Sequence, residues 1–171
     1  MNFTAKKICY VAVFTAMNVM LSSFGITVPG GHIYLNDIVI CFAALVLDPF
    51  SAFIVGGVGA FFGDLIFYPT PMFVSLFTHG LQGVAISLIV GKKTSLKPVR
   101  RVLIALFTGI IIMVGGYTLG KTFVYSTWET AVIKLPYEFA QAGIGAVVAF
   151  ILYYKTPLPS FIFKKLPEEE K

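Results

Sequence analysis

The stretch Val102–Gly120, VLIALFTGIIIMVGGYTLG, runs for nineteen residues without a charge and is bounded by Arg100-Arg101 on one side and Lys121 on the other. A membrane-spanning helix takes about 20 predominantly apolar residues, so the run reads as a span. Its end carries a second pattern. Gly115 to Thr122, GGYTLGKT, matches the nucleotide-binding signature G-x-x-x-x-G-K-[ST] letter for letter. That chemistry needs the loop between a strand and a helix N-terminus, where backbone amides cradle phosphate. Here it closes an apolar helix, and no acidic residue follows an apolar strand to hold magnesium. The glycines read as helix-packing positions, and Tyr117 as facing the interior.

The remaining sequence has the same character. Apolar types make up 57% of the 171 residues and charged types 12%, against about 25% charged in soluble domains. Mean hydropathy is +0.87. Such a chain has too few polar groups to cover a water-facing surface. We expect an all-α integral membrane protein, a compact bundle of about six transmembrane helices over residues 1–155, then a charged, loosely ordered cytoplasmic tail, 156–171. The expected helices are about 6–24, 36–47 (with Asn36 or Asp37 as N-cap), 50–67, 72–91, 102–120 and 136–154. Loops are expected at 25–34 and 121–135, and Pro136 is expected to open the last span. Small residues recur on two helices, at Ala52, Gly56, Ala60 and at Ala142, Ala146, Ala149, and read as close packing between backbones.

Charge sets the orientation. With six spans and the N-terminus inside, the inner segments hold Lys6, Lys7, the connector Lys92, Lys93, Lys97, Arg100 and Arg101, and the C-terminal lysines. That is eleven of thirteen basic residues; Lys121 and Lys134 alone fall outside. Both termini are therefore expected in the cytoplasm, with Asp48 at an inner turn without company. Lys6-Lys7 and the apolar run after it share features with a secretory signal, but no small-x-small cleavage site follows.

Cys9 and Cys41 sit in apolar stretches and read as small buried hydrophobes. No Cys/His cluster has metal-ligand spacing, and G-x-S-x-G and H-E-x-x-H are absent. No catalytic residue, metal, cofactor or nucleic-acid partner is expected, and the chain is not expected to be an enzyme. Polar residues inside a membrane are costly and mark functional sites. Asp64, His79 with Gln82, and Glu138 with Gln141 fall at one level of the bundle, and each pair is three residues apart on one helix face. Tyr34, Asn36, Tyr68, Tyr117 and Trp128 fall at the same level. Together these ten residues form the expected pocket, open to the outside, for a small ring compound.

Several segments resemble the substrate-binding (S) component of an energy-coupling factor (ECF) vitamin transporter. Ala12-x-x-x-Ala16 is similar to that family's small-residue docking motif. Gly30-Gly31-His32-Ile33-Tyr34-Leu35-Asn36-Asp37, followed by the Gly56 to Asp64 glycine stripe, resembles its first loop and third helix. Thr78-His79-Gly80-Leu81-Gln82-Gly83 resembles the hydroxymethylpyrimidine or pyridoxine branch. The resemblance implies a subunit of a prokaryotic plasma membrane that binds a vitamin from outside under a lid of loops. It would deliver the vitamin inward after docking, through Ala12 and Ala16, on a transmembrane coupling (T) subunit that carries two cytoplasmic ATPases. The competing expectation is a self-sufficient, proton-coupled secondary transporter of a small metabolite, although no internal repeat of the kind common in such proteins is evident.

Overall fold

A computed structural model describes residues 5–92 and 97–165. The chain begins with α1 (Ala5–Ser22), followed by a short antiparallel hairpin of β1 (Ile26–Val28) and β2 (Gly31–Ile33). Five more helices of the bundle and its margin follow: α2 (Asn36–Val46), α3 (Pro49–Phe67), α4 (Met72–Gly91), α5 (Pro98–Tyr125) and α6 (Trp128–Lys155). A last helix, α7, covers Leu158–Lys165. Four of these, α3 to α6, are long and apolar enough to cross a membrane; α2 is apolar but shorter.

α2 is buried on nearly every side. Asn36, Asp37 and every residue from Val39 to Val46 are buried, so the helix is apolar nearly all round. Its burial, and not its apolar character alone, puts it in the core of the bundle. It packs against α1, α4 and α6. The small-residue stripes let the neighbours approach. A Cβ added at Gly56 would lie 2.5 Å from the carbonyl oxygen of His79, and one at Gly145 would lie 2.5 Å from Cβ of Asp37. Large apolar side chains such as Phe77, Phe107 and Val147 point away from the bundle and are more than half exposed.

Two helices are locally widened into π turns, Ile54–Val58 in α3 and Lys121–Tyr125 in α5. In the first, the amide of Asn18, wholly buried, donates to the carbonyls of Val55 at 2.6 Å and Gly56 at 3.3 Å. The side chain from α1 thus engages the loosened carbonyls, which would otherwise be costly in an apolar interior.

The described residues amend several expectations. The loop at 25–34 contains the hairpin, because β-branched Ile26, Thr27 and Val28 precede the turn at Pro29-Gly30. Leu35 occupies the cap position of α2 with no side-chain cap, and Asn36 and Asp37 lie inside the helix. The polar loop at 121–135 shrinks to Ser126-Thr127. Thr127 caps α6 by accepting from the amide of Thr130 at 3.4 Å, so the helix begins eight residues before Pro136, which sits in its interior. Cys41 is buried but Cys9 is exposed. Asp48 has company: it pairs with Lys7 at 2.9 Å and caps α3 by accepting from the amide of Ser51 at 3.3 Å. In the tail, residues 158–165 are helical; Lys93 of the basic connector and residues 166–171 lie outside the described residues. Asp48, Lys92, Arg101 and Tyr153 line one cleft at the end of the bundle away from the hairpin. That places connector residues together with the start of α1.

Candidate ligand pocket under the hairpin

The hairpin tip is shaped by two glycines. Gly30 and Gly31 have φ of 83° and 141°, the left-handed region that side chains disfavour. The tip also lies on α6: a Cβ at Gly30 would stand 2.9 Å from Cβ of Lys134 and 3.2 Å from the carbonyl oxygen of Thr130. Beneath the tip is a space of about 440 Å³ including its open mouth. Its walls come from the hairpin, the ends of α3 and α5, and the first turns of α6.

Four charged side chains line this space: Asp64, Lys121, Lys134 and Glu138. The π turn at the end of α5 buries Lys121 to 2% exposure. Its ammonium donates to Glu138 Oε1 at 2.5 Å and to Tyr125 Oη at 3.0 Å, and lies 5.1 Å from the centre of the Tyr117 ring. Lys134, one helical turn before Glu138, has its ammonium 3.9 Å from Glu138 Oε1. The hydroxyl of Ser75 donates to Asp64 Oδ2 and hydrogen-bonds Tyr117 Oη at 2.5 Å. Tyrosines supply further donors. Burial, reinforced by the nearby Asp64 and Tyr68, pushes the phenol of Tyr34 up to about 12, so it stays a neutral donor throughout the physiological range.

Behind the lining runs a chain of side-chain amides around Asp37, which is wholly buried. Gln82 Nε2 donates to Asp37 Oδ1 at 3.0 Å, and Gln141 Nε2 donates to Asp37 Oδ2 at 2.6 Å. With its amide nitrogen so committed, Gln82 offers Oε1 to His79 Nδ1 at 2.7 Å, so His79 donates from that nitrogen. The other edge of Gln141 accepts from the backbone amide of Tyr34 at 2.9 Å. The base of the hairpin is therefore pinned to the bundle core through one glutamine.

Of the ten expected site residues, Tyr34, Asp64, Tyr68, Tyr117, Glu138 and Gln141 line the space. His79 and Gln82 meet Gln141, but across the carboxylate of Asp37 rather than across the cavity; the His79 ring packs edge-on against Tyr117 at 5.3 Å. Asn36 points elsewhere, donating to Ser22 Oγ at 3.3 Å and tying α2 to α1. Trp128, at the first turn of α6, is 59% exposed and stands outside the lining, because the helix starts earlier than Pro136. Sequence reasoning missed Lys121, Lys134, Tyr125 and His32 as lining residues, and Asp37 as the residue that holds Gln82 and Gln141. A signal for the lysines existed: they are the two cations that the charge asymmetry leaves on the hairpin side. Ala12 and Ala16 are exposed on α1 beside Val13 and Met17.

Comparison with known proteins settles the family. A family described as ECF-type riboflavin transporter, S component, matches residues 2–156. The chain belongs to that family. This S component is also 30% identical over 131 residues to a protein of Pyrococcus woesei described as an uncharacterized protein in gap 3'region, covering 75% of this chain and 86% of the relative. Its fold is that of FolT, whose crystal structure with bound folic acid superposes with a TM-score of 0.65 over 90% of this chain and 95% of FolT, at 21% identity. The membrane-transport reading and the S-component resemblance of the sequence are thus upheld at the level of the family.

Proposed function

We propose that this S component binds a small vitamin or vitamin precursor of the hydroxymethylated pyridine or pyrimidine class in the pocket under the hairpin, from the outer side of a prokaryotic plasma membrane. The observation that carries the reading is the pocket itself, lined by four tyrosines, two lysines and two carboxylates beneath a segment held by Gln141. Convergent polar groups within a mostly apolar frame are the usual make-up of a small-ligand site. On this reading α1 and α2 cross the membrane together with α3 to α6, both termini are cytoplasmic, and the pocket lies outside with the Lys7–Asp48 end inside. The chain itself performs no catalysis. It hands the ligand inward with a transmembrane coupling subunit, docked on the Ala12–Ala16 face, and two ATPases on separate chains.

The size of the ligand is compatible with tight binding. A ring compound of about 12 heavy atoms bound at nanomolar affinity needs roughly −12 kcal/mol, or about −1 per atom, within the ceiling for small ligands. Calorimetry on the purified protein with pyridoxine, hydroxymethylpyrimidine, riboflavin and folic acid tests the assignment. Saturable heat with pyridoxine or hydroxymethylpyrimidine is expected. Heat with riboflavin alone moves the chain to the flavin branch, and heat with none of the four removes the vitamin-binding reading.

A further inference from the structure

The end of the bundle away from the hairpin holds a second cavity, a cleft of about 1110 Å³ including its open mouth. Its apolar lining includes Leu45, Leu47, Pro49, Leu88 and Val90. Its basic lining is Lys92, just past the end of α4, and Arg101, in the first turn of α5. Arg101 Nη1 donates to the carbonyl oxygen of Lys92 at 2.6 Å, which sets the guanidinium against the end of α4. Arg101 Nε has no hydrogen-bond partner in the protein, so the guanidinium is not saturated by its neighbours. Neither Lys92 nor Arg101 has a carboxylate partner among the described residues. The acid in the lining, Asp48, is matched by Lys7 at 2.9 Å and by the amide of Ser51. The charges of Lys92 and Arg101 are therefore left uncompensated beside an apolar wall.

Leu88 belongs both to the cleft and to the outer face of α4. It is 49% exposed, and Phe77 and Leu81, at helical spacing before it, are 61% and 55% exposed. The three share one strip of the helix, so the cleft opens onto a surface made for lipid. A molecule that fits both features has an anionic head and an apolar chain. We propose that the cleft binds an anionic phospholipid of the leaflet at this end of the bundle, its phosphate on Arg101 and Lys92 and an acyl chain along the Phe77–Leu88 strip. A guanidinium gives a phosphate charge-assisted hydrogen bonds of fixed geometry, and an ammonium adds a point charge. Basic pockets between spanning helices hold anionic headgroups on this basis. A zwitterionic lipid carries its own cation beside the phosphate and gains less. A free phosphate would use the cations but leave the strip uncovered. The orientation proposed above makes this leaflet the inner one, while the site itself does not depend on what the hairpin pocket binds.

The test uses the purified full-length protein in a neutral detergent, titrated with phosphatidylglycerol, phosphatidylcholine and glycerol phosphate and read by native mass spectrometry. Phosphatidylglycerol is expected to bind about tenfold more tightly than phosphatidylcholine. Glycerol phosphate, the head without its chains, is expected not to displace it at matched concentration. Equal retention of the two lipids overturns the proposal. Displacement by glycerol phosphate also overturns it, and makes the cleft a site for soluble phosphates. Lys92→Gln and Arg101→Gln should each weaken phosphatidylglycerol about tenfold. Arg100→Gln removes the same charge from an exposed position outside the lining, and should leave binding unchanged. Equal losses in all three variants would mean a diffuse surface field and no site. Because Arg101 also holds the end of α4, Lys92→Gln and Arg101→Lys carry the test if Arg101→Gln does not fold. Unchanged lipid binding together with lost assembly on the coupling subunit would make the cleft a protein-docking face and overturn the lipid assignment.

Discussion

Gln141 on α6 reaches Asp37 on α2 across 104 residues of sequence through a 2.6 Å hydrogen bond from Nε2 to Oδ2, while its Oε1 accepts from the amide of Tyr34. One side chain thus reads the position of the hairpin on one edge and the core carboxylate on the other. Because Gln82 holds the second oxygen of Asp37 and His79 holds Gln82, the base of the pocket is a chain in which each amide has a fixed orientation.

Asp37→Asn should break that order. Asparagine offers one acceptor and one donor where two amide donors now converge, so one of Gln82 or Gln141 loses its partner. Leaving a buried polar group unpaired costs about 1–3 kcal/mol. The expected result is a lower melting temperature in detergent and weaker ligand binding, measured by thermal shift and calorimetry. A melting temperature and affinity both equal to wild type would show that the amides rearrange freely.

The Lys121–Glu138 pair is buried to 2% and 1% side-chain exposure. Removing one partner of such a pair costs about 3–5 kcal/mol, because the other is stranded. Lys121→Met and Glu138→Gln should each destabilise the fold, and the double variant should be less destabilised than the sum. A double-mutant cycle by chemical denaturation in mixed micelles measures the coupling; strict additivity would mean that the two charges act independently.

Gly30→Ala should affect the hairpin and spare the bundle. The added methyl meets a positive φ and the Cβ of Lys134 at 2.9 Å. Ligand affinity should fall severalfold through faster dissociation, with helical content by circular dichroism unchanged. Wild-type dissociation kinetics would separate the hairpin from ligand retention.

Topology is open to chemical labelling. In a background lacking Cys9 and Cys41, single cysteines at Lys97 and Ser126 should react with an impermeant reagent from opposite sides of the membrane. Reaction of both from outside in intact cells would rule out the six-span arrangement with an inner N-terminus.

Docking is expected on the exposed strip of α1. Ala16→Trp should abolish co-purification with the coupling subunit and the ATPases while leaving ligand binding at its wild-type level. A variant that binds ligand and still assembles would place the main docking face elsewhere.

The membrane class, the helix order and the membership of the S-component family were all legible in the residues alone. Long uncharged runs and their flanking charges are local properties, and a span needs about 20 apolar residues whatever its neighbours are. The position of Lys121 illustrates where that reach stops. By sequence it is a cation ending a hydrophobic run. In the fold, a π turn of α5 carries its ammonium under the hairpin onto Glu138, seventeen residues on. Asp37 looked like a helix cap and is the anchor of two glutamines from α4 and α6. Trp128, expected in the pocket, lies outside it because Thr127 starts α6 eight residues before Pro136. The sequence by itself determined that polar groups would gather at one end of an apolar bundle, since burying them singly in lipid is costly. Tertiary structure alone decided which of them face the cavity and which face one another, because that depends on helix rotation and on contacts between residues far apart in the chain.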